Sequence, residues 1–333
     1  MSETSPARIK VKGINQIGIV VKNLQRTMEN YWHILGIGPW EGFPWEAPLV
    51  YDRTYHGKPA WARDMVALVQ VGSVQLELCQ PVEGDSVYKD FLAEHREGLH
   101  HLNFLVDDVD ETTRILEEQG FPCLQSGHYG PPEKKCGFSY IDTKPLRTIW
   151  EPVHRGEKAG AQVFRYPEDP SEISPAKVRV EDINKVGIVV KDLHQVIESY
   201  WNILGIGPWE VFSREVPLVY DRRYHGKPAW TREKIAKVQV GGVQLELCQP
   251  VEGDSIYRDF LAEHGEGLHH LSLQVDDVDE TSDRLIKDGY PSIQSARFAS
   301  EDKYPYNYVD IKPLHTIWEV VQKVENMGVE PVH

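Results

Sequence analysis

Apolar and polar side chains alternate most clearly over Gln16–Val21, where Ile17, Ile19 and Val21 share one face and Gln16, Gly18 and Val20 the other. A period of two predicts a strand. Asn23 is placed to cap a helix, and Leu24, Met28, Tyr31, Trp32 and Leu35 recur at helical spacing until Gly36 stops the run. Beyond a loop, strands are predicted near Met65–Val71 and Val74–Gln80. A second round opens with a strand from His101 to Val106. It continues with a helix over about Val109–Gln119, ended by Gly120, and closes with strands near Phe138–Asp142 and Thr148–Val153. The whole order returns from Lys185 onward, so the pattern describes an α+β chain of four βαβββ-like modules.

The residues repeat along with the period. The stretch Ile34–Glu41 (ILGIGPWE) returns as Ile203–Glu210, and the thirteen residues Val74–Ser86 (VQLELCQPVEGDS) recur unchanged as Val243–Ser255. Positions 34 and 203, and 74 and 243, are each 169 apart. The constant offset implies two homologous domains in tandem, expected at 14–154 and 181–322. A proline- and charge-rich linker (155–180) would join them, with a short polar tail at 323–333. A chain of 333 residues gives each domain enough length for its own core. Differences between the copies then act as an internal experiment, and the sharpest is Gln16 against Lys185.

Composition narrows the function. The apolar runs are strand-length, so no membrane span is expected, and the N-terminus lacks a basic-then-apolar signal pattern. The expected location is the cytoplasm. Cys79, Cys123, Cys136 and Cys248 form no CxxC pair and are read as reduced, structural thiols. A formal charge of −15 opposes binding to nucleic acid or an anionic membrane. The expected partner is a small molecule, and a homodimer is left open. Gly36-Ile37-Gly38-Pro39 is a helix exit without phosphate-loop spacing, and no organic cofactor motif is evident.

Sorting strand residues by face brings candidate chemistry together. His270 goes with Ser272 and Gln274, while His269 goes with Leu271, Leu273 and Val275. In the first copy His101 goes with Asn103, and His100 with Leu102, Phe104 and Val106. Glu77 shares the face of Gln75 and Cys79. If the sheets curl, Gln16, Glu77 and His101 point into the hollow, and His100 and His269 pack under helices. Alternation alone does not decide which way Glu151 points.

The stretches INQIGIVVKNL (14–24), LELCQPVEGDS (76–86), GLHHLNFLVDDVD (98–110) and TIWEPV (148–153), with their partners in the second copy, resemble the vicinal-oxygen-chelate superfamily. Each copy is most similar to its methylmalonyl-CoA epimerase and glyoxalase-type branch. The resemblance implies four βαβββ modules paired into two half-barrel cups, each built around a divalent metal held by the first and last strands of its modules. Carried onto this chain it implies Gln16, Glu77, His101 and Glu151 as ligands, similar to the Gln-Glu-His-Glu set of some glyoxalase I enzymes. The epimerases more often have His where Gln16 stands. Three oxygens and one imidazole suit Zn²⁺, Ni²⁺, Co²⁺ or Mn²⁺. The second cup would offer Glu246, His270 and Glu319, but with Lys185 in place of a fourth ligand. An ammonium has no lone pair to give. The expectation is therefore one metal ion per chain, in the first cup, with Lys185 ion-paired in the second; Lys185→Gln alone should raise the number towards two.

The favoured reaction is isomerisation, epimerisation or lysis by proton transfer beside a carbonyl of a small, hydrophobic or aromatic substrate. The resemblance gives Glu151, and Glu319 in the second cup, the role of moving the proton. In the repeated segment PLVYDR…YHGKPAW, His56 and His225 are candidate acid–base groups. Arg53, Lys58, Arg222 and Lys227 are candidates for a substrate carboxylate or phenolate, with Tyr51, Trp40 and Trp209 as pocket residues. A plain hairpin preserved by duplication is the competing reading of that segment. A metal-independent enzyme using His56, His225 or Lys185, and a small-molecule-binding resistance-type protein, stay open. An extradiol dioxygenase is disfavoured, since such sites use two His and one carboxylate.

Overall fold

In the first half the chain runs through strand Gln16–Val20, helix Leu24–Leu35 and strands Trp40–Trp45, Ala62–Val71 and Val74–Gly84. It then forms strand Gly98–Leu105, helix Val109–Glu118 and strands Cys123–Tyr129, Gly137–Ile141 and Ile149–His154. The computed structural model describes residues 4–134, 136–156, 162–299 and 305–322, so the tail expected at 323–333 lies outside the described residues. Side-chain caps start the helices as the sequence suggests: the Asn23 side chain accepts from the Arg26 N–H, and Gly36 ends the helix at φ 67°. Two short helices were not expected, Val87–His95 and Ile256–Glu263, capped by Ser86 and Ser255.

Both halves build one curled mixed sheet with the same strand order. Gln16–Val20 and Gly98–Leu105 pair antiparallel at its centre, and each is flanked by a parallel neighbour, Val74–Gly84 and Ile149–His154. The segment that carries PLVYDR…YHGKPAW is a hairpin, Val50–Tyr55 with Lys58–Pro59. It lies in the chain between two strands at one end of the sheet, yet pairs with Cys123–Tyr129 at the other end. Each hairpin thereby ties the two modules of its cup together. Among the described residues no helix is long and apolar enough to cross a membrane.

The two faces of the sheet carry different cores. Ile17, Ile19, Leu76, Leu78, Leu102 and Phe104 belong to the helix-side core, which continues without a break into the second half. Tyr31 of the first half lies against Trp318 of the second, ring centroids 6.4 Å apart, and its hydroxyl donates to the Leu314 carbonyl at 3.1 Å. Tyr200 repeats this against Trp150 at 6.2 Å and donates to Leu146 at 3.0 Å. The segments ahead of the first strands also cross over: the Val11 N–H donates to Leu204 and the Val180 N–H to Leu35. Ser5 and Ser174 do the same to the carbonyls of Trp201 and Trp32. The stretch expected as a linker therefore ends in a segment matching the N-terminal one, and its Phe164–Tyr166 adds an edge strand on Trp40–Gly42.

A shared core predicts shared unfolding. Calorimetry should show one cooperative transition rather than two, and Trp318→Ala, removing a fully buried ring, should cost about 3–5 kcal/mol and lower that transition as a whole. Two separate transitions, with only one moved by the substitution, would contradict a common core.

Candidate metal centre

Gly18 pairs with Glu77 on one side and with His101 on the other. A side chain there has no room: a Cβ on Gly18 would lie 1.8 Å from the His101 ring. The glycine lets the imidazole lie across the strand and reach the carboxylates. Donor atoms of Glu77, His101 and Glu151 all fall within 4.8 Å of one another. His101 Nε2 is 3.2 Å from Glu77 Oε2 and 3.4 Å from Glu151 Oε2. Neither contact meets hydrogen-bond geometry, so His101 Nε2 and Glu77 Oε2 are buried with an ion-pair contact only, and His270 Nε2 and Glu246 Oε2 of the second cup likewise lack a hydrogen bond. Glu151 is steadied by Asn103, whose Nδ2 donates at 3.0 Å, and by the Tyr140 hydroxyl. Gln16 donates its amide N–H to Gln75 at 3.1 Å, which leaves its carbonyl oxygen as an acceptor. Two carboxylates and one imidazole, with donor atoms within 4.8 Å of one another, are a donor set that fits a borderline divalent ion.

Electrostatics in this cup are unbalanced. Burial alone would push the His101 pKa down, but contact with Glu77 and the charge of Glu151 raise it above its ordinary value. Burial and Glu77 raise the Glu151 carboxyl against the pull of His101. The buried Arg53 nearby is matched by Asp64 at 2.6 Å and offers nothing to the other two carboxylates. Around the centre stands an apolar, largely aromatic cluster that includes Phe43, Trp45, Tyr88, Tyr129, Phe138 and Tyr140, separate from the helix-side core.

The second cup has the same three donors, Glu246, His270 and Glu319, and a different charge balance. Lys185 Nζ is 2.6 Å from Glu319 Oε2 and 3.5 Å from Glu246 Oε2. Lys237, 169 positions after Leu68, adds its Nζ at 3.4 Å from Glu246 Oε2. Arg214, equivalent to Trp45, pairs with Glu233 at 2.8 Å, and Arg222 holds the same carboxylate at 2.9 Å. Burial opposes the Glu246 charge, yet Lys185 and Lys237 hold its pKa well below the usual carboxylate range. Burial would lower Lys185, but Glu246 and Glu319 raise it. Burial pushes His270 down to about 4 although both carboxylates pull it the other way. A dication about 3.5 Å from an ammonium would be repelled by roughly 10 kcal/mol at an effective dielectric near 20. The donor triad is present, but these residues do not fit a metal ion.

One register expectation needs correcting. Gly18 pairs with His101 and Ile19 with Leu99, so His100 is the extra residue of a β-bulge; His269 repeats this between Leu268 and His270. Strict alternation puts His100 and His269 on the helix-side face with Leu102 and Leu271. They do pack under helices as expected, but on the other face: His100 lies against Phe91 and Tyr88 of helix Val87–His95, and His269 against Phe260 and Tyr257 of helix Ile256–Glu263. His100 Nδ1 is 2.9 Å from His101 Nδ1. With His101 Nε2 turned to the carboxylates, His101 Nδ1–H donates and His100 keeps its proton on Nε2. That nitrogen has no partner, and its ring, like that of His269, lines a cleft of about 790 Å³ between the halves.

Among the described residues, no hairpin residue pairs with a triad carboxylate or histidine. Arg53 and Arg222 are enclosed with Asp64 and Glu233. His56 sits beyond Tyr55, its side chain 54% exposed and 3.9 Å from Asp90, and His225 stacks edge-on against Tyr224. Lys58 and Lys227 are exposed in the short strands of the hairpins, and Tyr51 stacks on His128. Trp40 and Trp209 belong to the helix side, donating to the carbonyls of Ile37 and Ile206. Sequence reasoning missed Lys237, Arg214, Tyr88 and Tyr140. The constant offset could have found the first two, since it aligns them with apolar Leu68 and Trp45.

The cup geometry, repeated twice, defines the class. The sequence profile of the glyoxalase/bleomycin resistance protein/dioxygenase superfamily matches residues 15–140 and 184–308. The chain belongs to that superfamily. The uncharacterized protein YqjC of Bacillus subtilis (strain 168) is 29% identical over 106 residues, covering 32% of this chain and just under two thirds (66%) of that relative's length. Among solved structures, a mutant of 4-hydroxymandelate synthase from Streptomyces coelicolor superposes with a TM-score of 0.58 at 15% identity, over 96% of this chain and 94% of that one. A xylose isomerase-like TIM barrel/4-hydroxyphenylpyruvate dioxygenase fusion protein gives 0.54 at 14% identity, over 98% of this chain and 51% of that one. At such identities these neighbours establish the fold.

The two histidines should titrate oppositely in metal-free protein. NMR of the imidazoles should find His270 neutral down to about pH 4 and His101 protonated above its ordinary range. For His270 the folded pKa is depressed, so its stabilisation is complete above about 6.5 and is lost as pH falls towards 4, on the order of 3 kcal/mol. A His270 that protonates near 6.5 would contradict the closed second cup. Gly18→Ala should displace His101 and destabilise the fold by about 1–3 kcal/mol, read by denaturant titration.

Proposed function

We propose that the chain is a metal-dependent isomerase, epimerase or lyase that moves a proton beside the carbonyl of a small, hydrophobic or aromatic molecule, with the first cup as its active site. The observation that carries this is the convergence of Glu77, His101 and Glu151 with Gln16 and Leu68 at the positions where the second triad, whose equivalent atoms are equally unpartnered, is met by Lys185 and Lys237. Gln16, Glu77, His101 and Glu151 would hold the ion. When bound, a divalent ion would polarise a substrate carbonyl as a Lewis acid.

The chain's own residues do the rest. Glu151 is the proton carrier: without an ion, burial and Glu77 raise its carboxyl pKa above the ordinary value against the pull of His101. Asn103 Nδ2 and the Tyr140 hydroxyl hold the Glu151 carboxylate in position. His100 fixes the tautomer of His101 through their Nδ1 atoms. Phe43, Trp45, Phe138 and Tyr140 exclude water and supply an apolar wall. A single imidazole in the triad supports proton transfer over extradiol oxygen chemistry, whose sites use two. The side chain of Glu77 keeps 12% exposure whereas that of Glu246 keeps none, which supports the first cup as the accessible one.

The test joins elemental analysis to a deuterium-exchange assay over a panel of small carbonyl compounds. The unmodified protein should hold one divalent ion per chain and exchange the proton next to the carbonyl. Glu77→Ala should lose the ion and slow exchange by more than about 100-fold. Exchange that persists in metal-free protein would overturn the metal-dependent reading.

A further inference from the structure

The charges of the second cup are arranged too closely to be incidental. In the first cup the carboxylates of Glu77 and Glu151 face one imidazole. In the second, the equivalent carboxylates face two ammonium groups as well. Lys185 bridges them, 2.6 Å from Glu319 and 3.5 Å from Glu246, and Lys237 closes on Glu246 at 3.4 Å. Neither lysine has a cationic counterpart, since the first cup has Gln16 and Leu68 at these positions. Burial and Lys185 pull the Lys237 pKa below its ordinary value against the pull of Glu246; with both lysines protonated, the two supply the charge that one divalent ion would. The surroundings match: His270 Nε2 stands back at 3.9 Å from both carboxylates, where His101 approaches to 3.2 and 3.4 Å. Tyr308 donates to the remaining oxygen of Glu319 at 2.7 Å. The Lys237 ammonium also lies 5.2 Å from the Phe212 ring, a favourable seat for a cation.

We infer that Lys185 and Lys237 together take the place of a divalent cation in the second cup, making it a closed, metal-free centre that becomes a metal site only when both are replaced. The ligand class it would then accept is a borderline divalent ion such as zinc or cobalt, on Glu246, His270 and Glu319. The expectation that Lys185→Gln alone suffices is thereby revised, because Lys237 would still occupy Glu246. The proposed active site in the first cup serves only as the reference for this centre, and either can fail without the other.

The experiment empties the first cup with Glu77→Ala and then adds Lys185→Gln, Lys237→Leu or both. Each protein is dialysed against Co²⁺ or Zn²⁺, freed of excess ion, and analysed for bound metal, for the visible absorption of Co²⁺, and for thermal stability with and without chelator. Glu77→Ala alone should hold no metal, each added single change well under half an ion per chain, and the triple variant about one, with a melting temperature raised by metal. Full occupancy after Lys185→Gln alone, or metal retained by Glu77→Ala itself, would overturn the two-lysine assignment; so would a folded triple variant that stays empty. If the unmodified protein holds no metal while the triple variant binds one, the proposed active site fails and this inference stands. Should the triple variant not fold, side-chain ¹⁵N spectra of lysine in the unmodified protein decide the matter. Two slowly exchanging ammonium signals, unchanged by added Zn²⁺ and by chelator, are expected. Their absence, or their loss as Zn²⁺ is added, would refute it.

Discussion

Burying two carboxylates a few ångströms apart is the constraint on which each cup depends. Such a pair needs about two positive charges or must give up its ionisation. The fold places the pair at fixed positions on strands Val74–Gly84 and Ile149–His154, and again on Val243–Gly253 and Thr316–Gln322. What varies is the answer to the charge. Both copies leave an imidazole nitrogen and a carboxylate oxygen without a hydrogen bond, His101 Nε2 with Glu77 Oε2 in one and His270 Nε2 with Glu246 Oε2 in the other, but the first has Gln16 and Leu68 where the second has its lysines. The second thus settles the charge internally. The surrounding residues adjust accordingly, apolar and aromatic in one copy and cross-linked by Arg214, Arg222 and Glu233 in the other.

Much of this was legible in the sequence, for identifiable physical reasons. Period-two alternation over Gln16–Val21 and Val74–Gln80 sorted the faces correctly: Val20 and Cys79 lie in the cup cluster, and Ile17, Leu76 and Leu78 in the helix-side core. Alternation failed at His100 because a bulge inserts one residue, and no periodic rule announces a bulge. The strands Trp40–Trp45 and Cys123–Tyr129 were missed, as both lie towards the edges of the sheet with weaker patterning. Arg53 looked like a substrate anchor because its partner Asp64 lies eleven residues away on another strand. Counter-charges that meet only in the folded sheet are invisible to spacing. Trp40 and Trp209 were ambiguous for a similar reason, since an indole that fills a core and one that lines a pocket read alike in sequence.

The reciprocal contacts between the halves have a bearing on what the peptide link contributes. Tyr31 and Tyr200 each reach into the opposite half, and the segments at Ser5–Val11 and Ser174–Val180 each lie across the partner's first helix. This is the isologous pattern of a two-fold pair, in which each member contributes the same patch. The covalent connection then acts mainly through effective concentration, turning a bimolecular encounter into a local one. It also frees the pair from identity. Two separate copies of one chain must carry the same cup, whereas two joined halves can keep one cup open to an ion and commit the other, charge for charge, to holding itself shut.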